Sequence, residues 1–303
     1  MFDFTLPLPR GYIVADILNF HARDKDALSE IVSDTPITKQ IKKAVLLGDV
    51  PTVIDIALDT SLEQACCVAL SDAPINIAMQ SQAKHIAASM LGLHIDPAAF
   101  LAFVETDPVF GPLTARQQGL RIAQSASIFE ALTWAIMGQQ INVAFAVSLR
   151  RSFIRLAGQP HSSGLICYPS PADAARIDIE ALTSRQFSRA KAETLLRLAD
   201  LLASGQIDLQ ESPANSLDTI CAALLAVKGI GPWTVNYALL RGYGYADCSL
   251  HGDVAVRAAI ANLWGHETRP SIAAAETLLA RYRPHRTMAA AHLWASLNKS
   301  SNY

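Results

Sequence analysis

The sequence predicts a mostly α-helical protein with a small antiparallel-sheet α+β domain at its N-terminus. Three observations carry that reading. Alternation of apolar and polar residues, the mark of half-buried strands, is confined to the first part of the chain. Beyond about residue 95, strand signals nearly vanish. Alanine and leucine dominate while aromatic residues make up only 7%, a balance that favours helices. With 303 residues, 51% of them hydrophobic and 17% charged, the chain is long and apolar enough to fold into two or three domains.

The opening FDFTLPLP alternates like a half-buried strand, and YIVADILNFHARDK reads as a helix. KKAVLLGDVPTVIDIALD and QACCVALS read as strands turning near Gly48 and Pro51. NIAMQSQAKHIAASMLGL returns to helical spacing, so residues 1–95 are expected to form the α+β unit. Residues 96–303 are expected to be helical throughout, in two subdomains with a cleft between them. SIFEALTWAIMGQQINVAFAVSLRRSFIRLAG gives two helices around GQQIN; PADAARI, DIEALTS and SRAKAETLLRLADLLASG follow, the last capped by Ser188. SLDTICAALLAV, DVAVRAAIANLWG, AAAETLLARYR and RTMAAAHLWASLN complete the helical set. One long loop stands out, GQPHSSGLICYPSPAD at 158–173.

Net charge is −2 and the isoelectric point is near 6.4, so nucleic-acid binding would need a local patch. Arg150, Arg151, Lys191 and Arg241 are the candidates for it. The five cysteines, Cys66, Cys67, Cys167, Cys221 and Cys248, have no metal-ligand or redox spacing, which fits a reducing cytoplasm. No signal peptide and no membrane-spanning apolar run is visible.

The densest signal is VKGIGPWTVNYALLRGYGYADCSLHGDVAVR. Gly229 and Gly231 flank Ile230, and Pro232 fits the first position of a helix, where its missing N–H costs nothing. The product is helix, hairpin, helix over about 218–242. Two readings stay open for it: a plain turn between helices, or a backbone anion site in which free N–H groups face a phosphate. Asp253 likewise is an ordinary N-cap or a carboxylate facing a cleft, where it would stabilise positive charge on a sugar.

Taken together, LLAVKGIGPWTVNYALLRGYG…LHGDVAVR, GLRIAQSASIFEALTWAIMGQQINVAFA, SRAKAETLLRLADLL and YRPHRTMAAAHLW resemble the helix-hairpin-helix DNA glycosylase superfamily, and within it the 3-methyladenine DNA glycosylase II (AlkA) type. The likeness runs from Phe110 to Trp294 and, more weakly, into the N-terminal unit. It implies a double-stranded DNA partner carrying a damaged base, a monomer located in the cytoplasm with the nucleoid, and release of alkylated purines in base excision repair. By position it makes Asp253 catalytic. It assigns the N–H groups of Gly229, Gly231 and Thr234 to a DNA phosphate. The carbonyls of Leu225, Val227 and Ile230 fall to a structural Na⁺ or K⁺, with no other cofactor. Trp233, Tyr237 and Phe20 line the base pocket. Gln140, beside Gln139, is the wedge that fills the gap left by the extruded nucleotide.

Three positions bear on chemistry. Relatives that cleave the strand carry a lysine where Trp233 stands, so the resemblance implies base removal alone. His285 replaces a pocket tryptophan, and Val254 stands where some members have tyrosine, so uncharged lesions join the candidate substrates. His285 is equally readable as a surface residue at a helix start. The rival functions are a same-fold glycosylase for deaminated or oxidised bases and a non-catalytic DNA clamp.

Overall fold

The structure, a computed structural model, describes residues 1–298; the last residues of the expected helical region lie outside them. Strands β1 (Phe2–Pro7), β2 (Glu30–Asp34), β3 (Lys39–Leu47), β4 (Val50–Asp59) and β5 (Gln64–Ser71) form one antiparallel sheet in the order β1-β5-β4-β3-β2. Leu47 pairs with Val50 across a two-residue turn, and Gly48 takes a positive φ of 58° at its first central position, where glycine is favoured. β2 was not expected from sequence. Its residues EIVSD carry only two apolar side chains and lie on the sheet edge, so the apolar alternation that marks a strand is missing.

The central strands are covered on both faces. Ile41, Val45 and Leu47 of β3, with Ile54 and Ile56 of β4, pack under helices α1 (Val14–His21) and α2 (Ile77–Met90). The alternate residues Ala44 and Val53 pack against Leu165 and Cys167 of the long loop. That loop is therefore part of the core. His161 Nε2 lies 2.9 Å from the Leu70 carbonyl, and the Ile166 N–H donates to the Leu28 carbonyl at 3.0 Å.

The helical region starts with α3 (Ala98–Phe103) and α4 (Phe110–Arg116). It continues through α5 (Ile128–Gly138), α6 (Val143–Ala157), α7 (Pro171–Ala175), α8 (Ile179–Thr183) and α9 (Arg189–Ala203). Then come α10 (Leu217–Ala226), α11 (Pro232–Ala238) with a π-helical turn at Leu239–Tyr243, α12 (Val254–Trp264), α13 (Ile272–Ala280) and α14 (Arg286–Asn298). The starts of most of these helices follow local sequence. Ser127, Asn142, Ser188, Ser216 and Ser271 each accept a first-turn N–H as N-caps. One core, built around Phe100, Phe110, Leu132, Phe153 and Leu240, runs through the helices.

Sheet and helices meet through charge as well as apolar surface. Lys43 of β3 and Arg150 of α6 each bridge Glu30 of β2 and Glu130 of α5, and all four are buried. Arg150 lies 2.9 Å from Glu30 Oε1 and 2.7 Å from Glu130 Oε1. His21 of α1 closes the cluster, with Nδ1 3.0 Å from Glu30 Oε2 and Nε2 3.1 Å from the Met90 carbonyl. Burial alone would raise both glutamates, but Lys43 and Arg150 outweigh it and hold both carboxyls below their usual range.

This cluster corrects the expected DNA-facing patch. Arg150 is consumed inside it. Arg151 pairs with Asp24 and Asp26, and the Lys191 ammonium donates to the Met137 carbonyl at 2.8 Å. Arg241 turns inward and donates to the Ala123 carbonyl. Each of the four candidates carries a long alkyl stem that the fold covers, which residue type alone does not reveal.

Replacing Arg150 with Met leaves both glutamates buried with half their cationic partners, and is expected to cost about 3–5 kcal/mol in urea unfolding. The pH dependence has a defined sign. The stabilisation from Glu30 and Glu130 is complete above the unfolded carboxylate pKa of about 4.3 and is lost as pH falls through the lower folded values. The gap between Arg150→Met and wild type should therefore narrow as unfolding is measured from pH 7 down to pH 3.

Candidate active site

The hairpin follows from its residues. α10 ends at Ala226, the Ile230 N–H closes a turn onto the Val227 carbonyl at 3.0 Å, and Gly231 caps α11 with Pro232 at its first position. Gly229 has a φ of 96°, and a Cβ there would lie 2.0 Å from Thr194 Oγ1 of α9, so glycine is required twice over. Around Gly231, by contrast, a Cβ would meet nothing within 4 Å, so that side of the turn is open. Among the described residues, no acceptor faces the N–H groups of Gly229, Gly231 or Thr234. Open space, free N–H groups and a helix start are the features an anion would need there.

The carbonyls offered to a cation also fit. Those of Leu225 and Ile230 accept no hydrogen bond from the described residues outside the helical ladder, and that of Val227 accepts one. An oxygen-only donor set of this kind suits a hard cation.

Three contacts tie the hairpin, α5 and α9 together. Gln139, at the end of α5, donates through Nε2 to the Gly229 carbonyl and to Thr234 Oγ1, both at 3.1 Å. Thr194 Oγ1 donates to the Lys228 carbonyl at 3.2 Å. The third is the Lys191 contact with Met137, which joins α9 to α5. Gln139 is thus a structural tether, which corrects its expected place in the DNA wedge. Gln140, next in the chain, is exposed and holds a left-handed φ of 57°, rare for a residue with a Cβ. The backbone turns there so that one glutamine points into the fold and the next points out of it.

Asp253 caps α12. Its Oδ1 accepts from the Ala255 and Val256 N–H groups at 2.9 Å each and from the Trp294 indole N–H at 3.1 Å. Its Oδ2 accepts only from the Trp233 indole N–H, at 2.9 Å. The carboxylate is therefore a helix cap whose second oxygen is not used for capping, so the cap reading does not exclude the other. Asn236 steadies the loop that carries it, accepting from the Ser249 N–H and donating to the Pro232 carbonyl, each at 2.9 Å.

Trp233 and Tyr237 sit one helical turn apart with ring centroids 5.4 Å from each other. Tyr237 faces a cleft that Phe20, Arg23, Trp134 and the Lys43–Arg150 cluster also line. Phe20 thus reaches the cleft from the N-terminal domain as expected. Two guanidinium groups flank its ring, Arg23 at 4.3 Å and Arg241 at 4.6 Å from the centroid. Burial, with the like charge of Arg23 adding to it and Tyr237 opposing it, brings Arg241 down to about 10.

His285 does not join this cleft. Its N–H closes a turn onto the Tyr282 carbonyl at 2.7 Å, and its ring packs 5.5 Å from Phe103 and 6.4 Å from Phe100 of α3. The loss of tryptophan at this position therefore leaves a packing residue. Sequence reasoning also missed Trp294, Trp134 and Arg23. Trp294 ended a quoted motif and was the findable one, because a buried indole N–H needs an acceptor and Asp253 was the candidate at hand.

Comparison with known proteins places the chain in a family. DNA-3-methyladenine glycosylase 2 of Escherichia coli K12 is 26% identical over 293 residues, 96% of each chain. A Bacillus subtilis relative, named provisionally for the same activity, is 28% identical over 59% of this chain, which spans only 62% of that relative's length. A solved 3-methyladenine DNA-glycosylase from Archaeoglobus fulgidus superposes with a TM-score of 0.80 over 99% of this chain and 100% of its own, at 18% identity. Residues 133–284, half of the chain, match the profile of the HhH-GPD superfamily of base excision DNA repair proteins, and the chain belongs to that family.

Proposed function

We propose that this protein is a monofunctional DNA glycosylase that hydrolyses the N-glycosidic bond of alkylated purines of the 3-methyladenine type and leaves an abasic site. The observation that carries the reading is the Asp253 carboxylate, fixed by four N–H donors beside the Trp233–Tyr237 pair. Family membership and the names of the relatives support it.

The mechanism follows from that geometry. Extrusion of a base costs a few kcal/mol of stacking and pairing, and an alkylated base is cheaper to extrude than an intact one. Gln140 fills the gap in the stack. The N–H groups of Gly229, Gly231 and Thr234 hold a backbone phosphate, a contact without sequence preference. A Na⁺ or K⁺ on the carbonyls of Leu225, Val227 and Ile230 would add positive charge at the same phosphate. The extruded base enters among Phe20, Trp233 and Tyr237.

Asp253 faces the sugar through Oδ2. Among the described residues Oδ1 already accepts three hydrogen bonds, whereas Oδ2 accepts one and keeps lone-pair capacity. As the glycosidic bond breaks, positive charge grows on the sugar and this oxygen stabilises it. An N-alkylated purine is cationic and departs neutral, so no strong acid is required. Trp233 stands where a Schiff-base lysine would be, and its indole N–H holds Asp253 instead.

Asp253→Asn should lower single-turnover release of 3-methyladenine by about 10²–10³-fold or more, while abasic duplex binding stays close to wild type. If the wild-type protein binds abasic duplex and releases no base from any lesion, the glycosylase reading fails. A second expectation concerns the product. The strand should remain intact until alkali is added, and borohydride should trap no covalent protein–DNA adduct. A trapped adduct would show that some amine in the chain attacks the sugar, against the monofunctional assignment.

A further inference from the structure

We propose that Arg23 is a specificity-determining residue that presents a guanidinium to the departing base and so admits uncharged purines as leaving groups. The inference rests on the glycosylase reading of this site and names what that site accepts.

Arg23 lies just beyond α1, exposed at the cleft that Tyr237 lines. Its guanidinium carbon is 4.3 Å from the Phe20 ring centroid and 6.0 Å from that of Trp134. Among the described residues it makes no hydrogen bond and no ion pair. The adjacent carboxylate does not pair with it: Asp24 Oδ1 accepts from Arg151 Nε at 3.0 Å and Nη2 at 2.6 Å, and Oδ2 is enclosed without a partner. The five N–H donors of Arg23 are therefore free for a ligand. The Phe20 ring also carries Arg241, which is committed to the Ala123 carbonyl and has its Nε enclosed without a partner. Arg241 adds fixed charge; Arg23 is the donor free to move.

The consequence depends on the charge of the base. When the C1′–N9 bond of an uncharged purine breaks, its electron pair moves to the base, and the sugar becomes an oxocarbenium ion opposite Asp253. The base carries developing negative charge on its ring nitrogens and any carbonyl oxygen, and a guanidinium there stabilises that charge. Water then adds to C1′, and its proton leaves to the base, so the products are an abasic sugar and a neutral purine. For an N-alkylated cation, the same electron pair merely cancels the base's charge. No donor is needed, and the charge of Arg23 opposes binding. Water now screens Arg23, but an entering base displaces that water and strengthens the contact in either sense.

The test compares full-length wild type, Arg23→Met and Arg23→Lys in single-turnover assays. One set of duplexes carries hypoxanthine, an uncharged purine with a carbonyl acceptor; the other is methylated DNA that releases 3-methyladenine. In Arg23→Met the ratio of hypoxanthine to 3-methyladenine release should fall about tenfold or more, in the rate constant rather than in half-saturation. Arg23→Lys, which keeps the charge, should hold the ratio within about threefold of wild type. An unchanged ratio in Arg23→Met, or an equal loss on both lesions, overturns the proposal. So does a wild type that releases 3-methyladenine and no hypoxanthine, an outcome that leaves the glycosylase reading standing. A wild type that releases neither removes that reading and this one with it.

Discussion

The site depends on one interaction, the buried pairing of Lys43 and Arg150 with Glu30 and Glu130. Two cations and two anions balance inside the protein, so no charge is stranded, whereas removing any one leaves an uncompensated partner. The four residues come from β2, β3, α5 and α6, and His21 brings in α1. The cluster therefore sets how the sheet domain sits on the helices. Phe20, next to His21, lines the cleft only because that docking is fixed. The apolar cover that Leu165 and Cys167 lay over the other sheet face fixes it from the opposite side. Apolar contact alone tolerates sliding; four charge-assisted hydrogen bonds in low dielectric do not.

A similar economy governs the DNA-facing end. Gln139, Lys191 and Thr194 link α5, α9 and the hairpin through single polar contacts to backbone oxygens. Gln140 and the N–H groups of Gly229 and Gly231 are thereby connected through the direct polar contacts of Gln139. On the proposed reading, that connection would leave less ordering to be done when a wedge and a phosphate site engage DNA together. The acidic isoelectric point is compatible with it, because such a site would use backbone N–H groups rather than a basic patch.

Much of this was legible in the sequence, and the failures have a pattern. Periodicity and caps place most helices, and Gly229, Pro232 and Asp253 announce the hairpin and the carboxylate, because each answers a local backbone demand. What local pattern cannot show is the direction a long side chain takes. Arg150, Arg151, Lys191 and Arg241 read as free surface cations, but Arg150 is buried and the other three are half-buried and tied to groups of the fold. His285 reads as a pocket residue and packs on Phe103. β2 was lost because an edge strand needs little apolar alternation. Trp134 and Arg23 were missed because their meaning arises between domains, from elements more than 100 residues apart in the chain.

The arrangement of charge across the cleft connects these points. The Asp253 carboxylate is held by Trp233 and Trp294, and Trp233 lies beside Tyr237, which lines the same cleft as Phe20 and Arg23. Two guanidiniums lie against the Phe20 ring. Glycosidic heterolysis leaves the sugar positive and the base electron-rich, so a carboxylate beside the sugar and a guanidinium beside the base would both favour it before any proton moves. On the proposed reading, a cationic base gains from the carboxylate and is opposed by the guanidinium, whereas an uncharged base gains from both. Arg23, the group least committed elsewhere, is then where selection by charge is most easily altered.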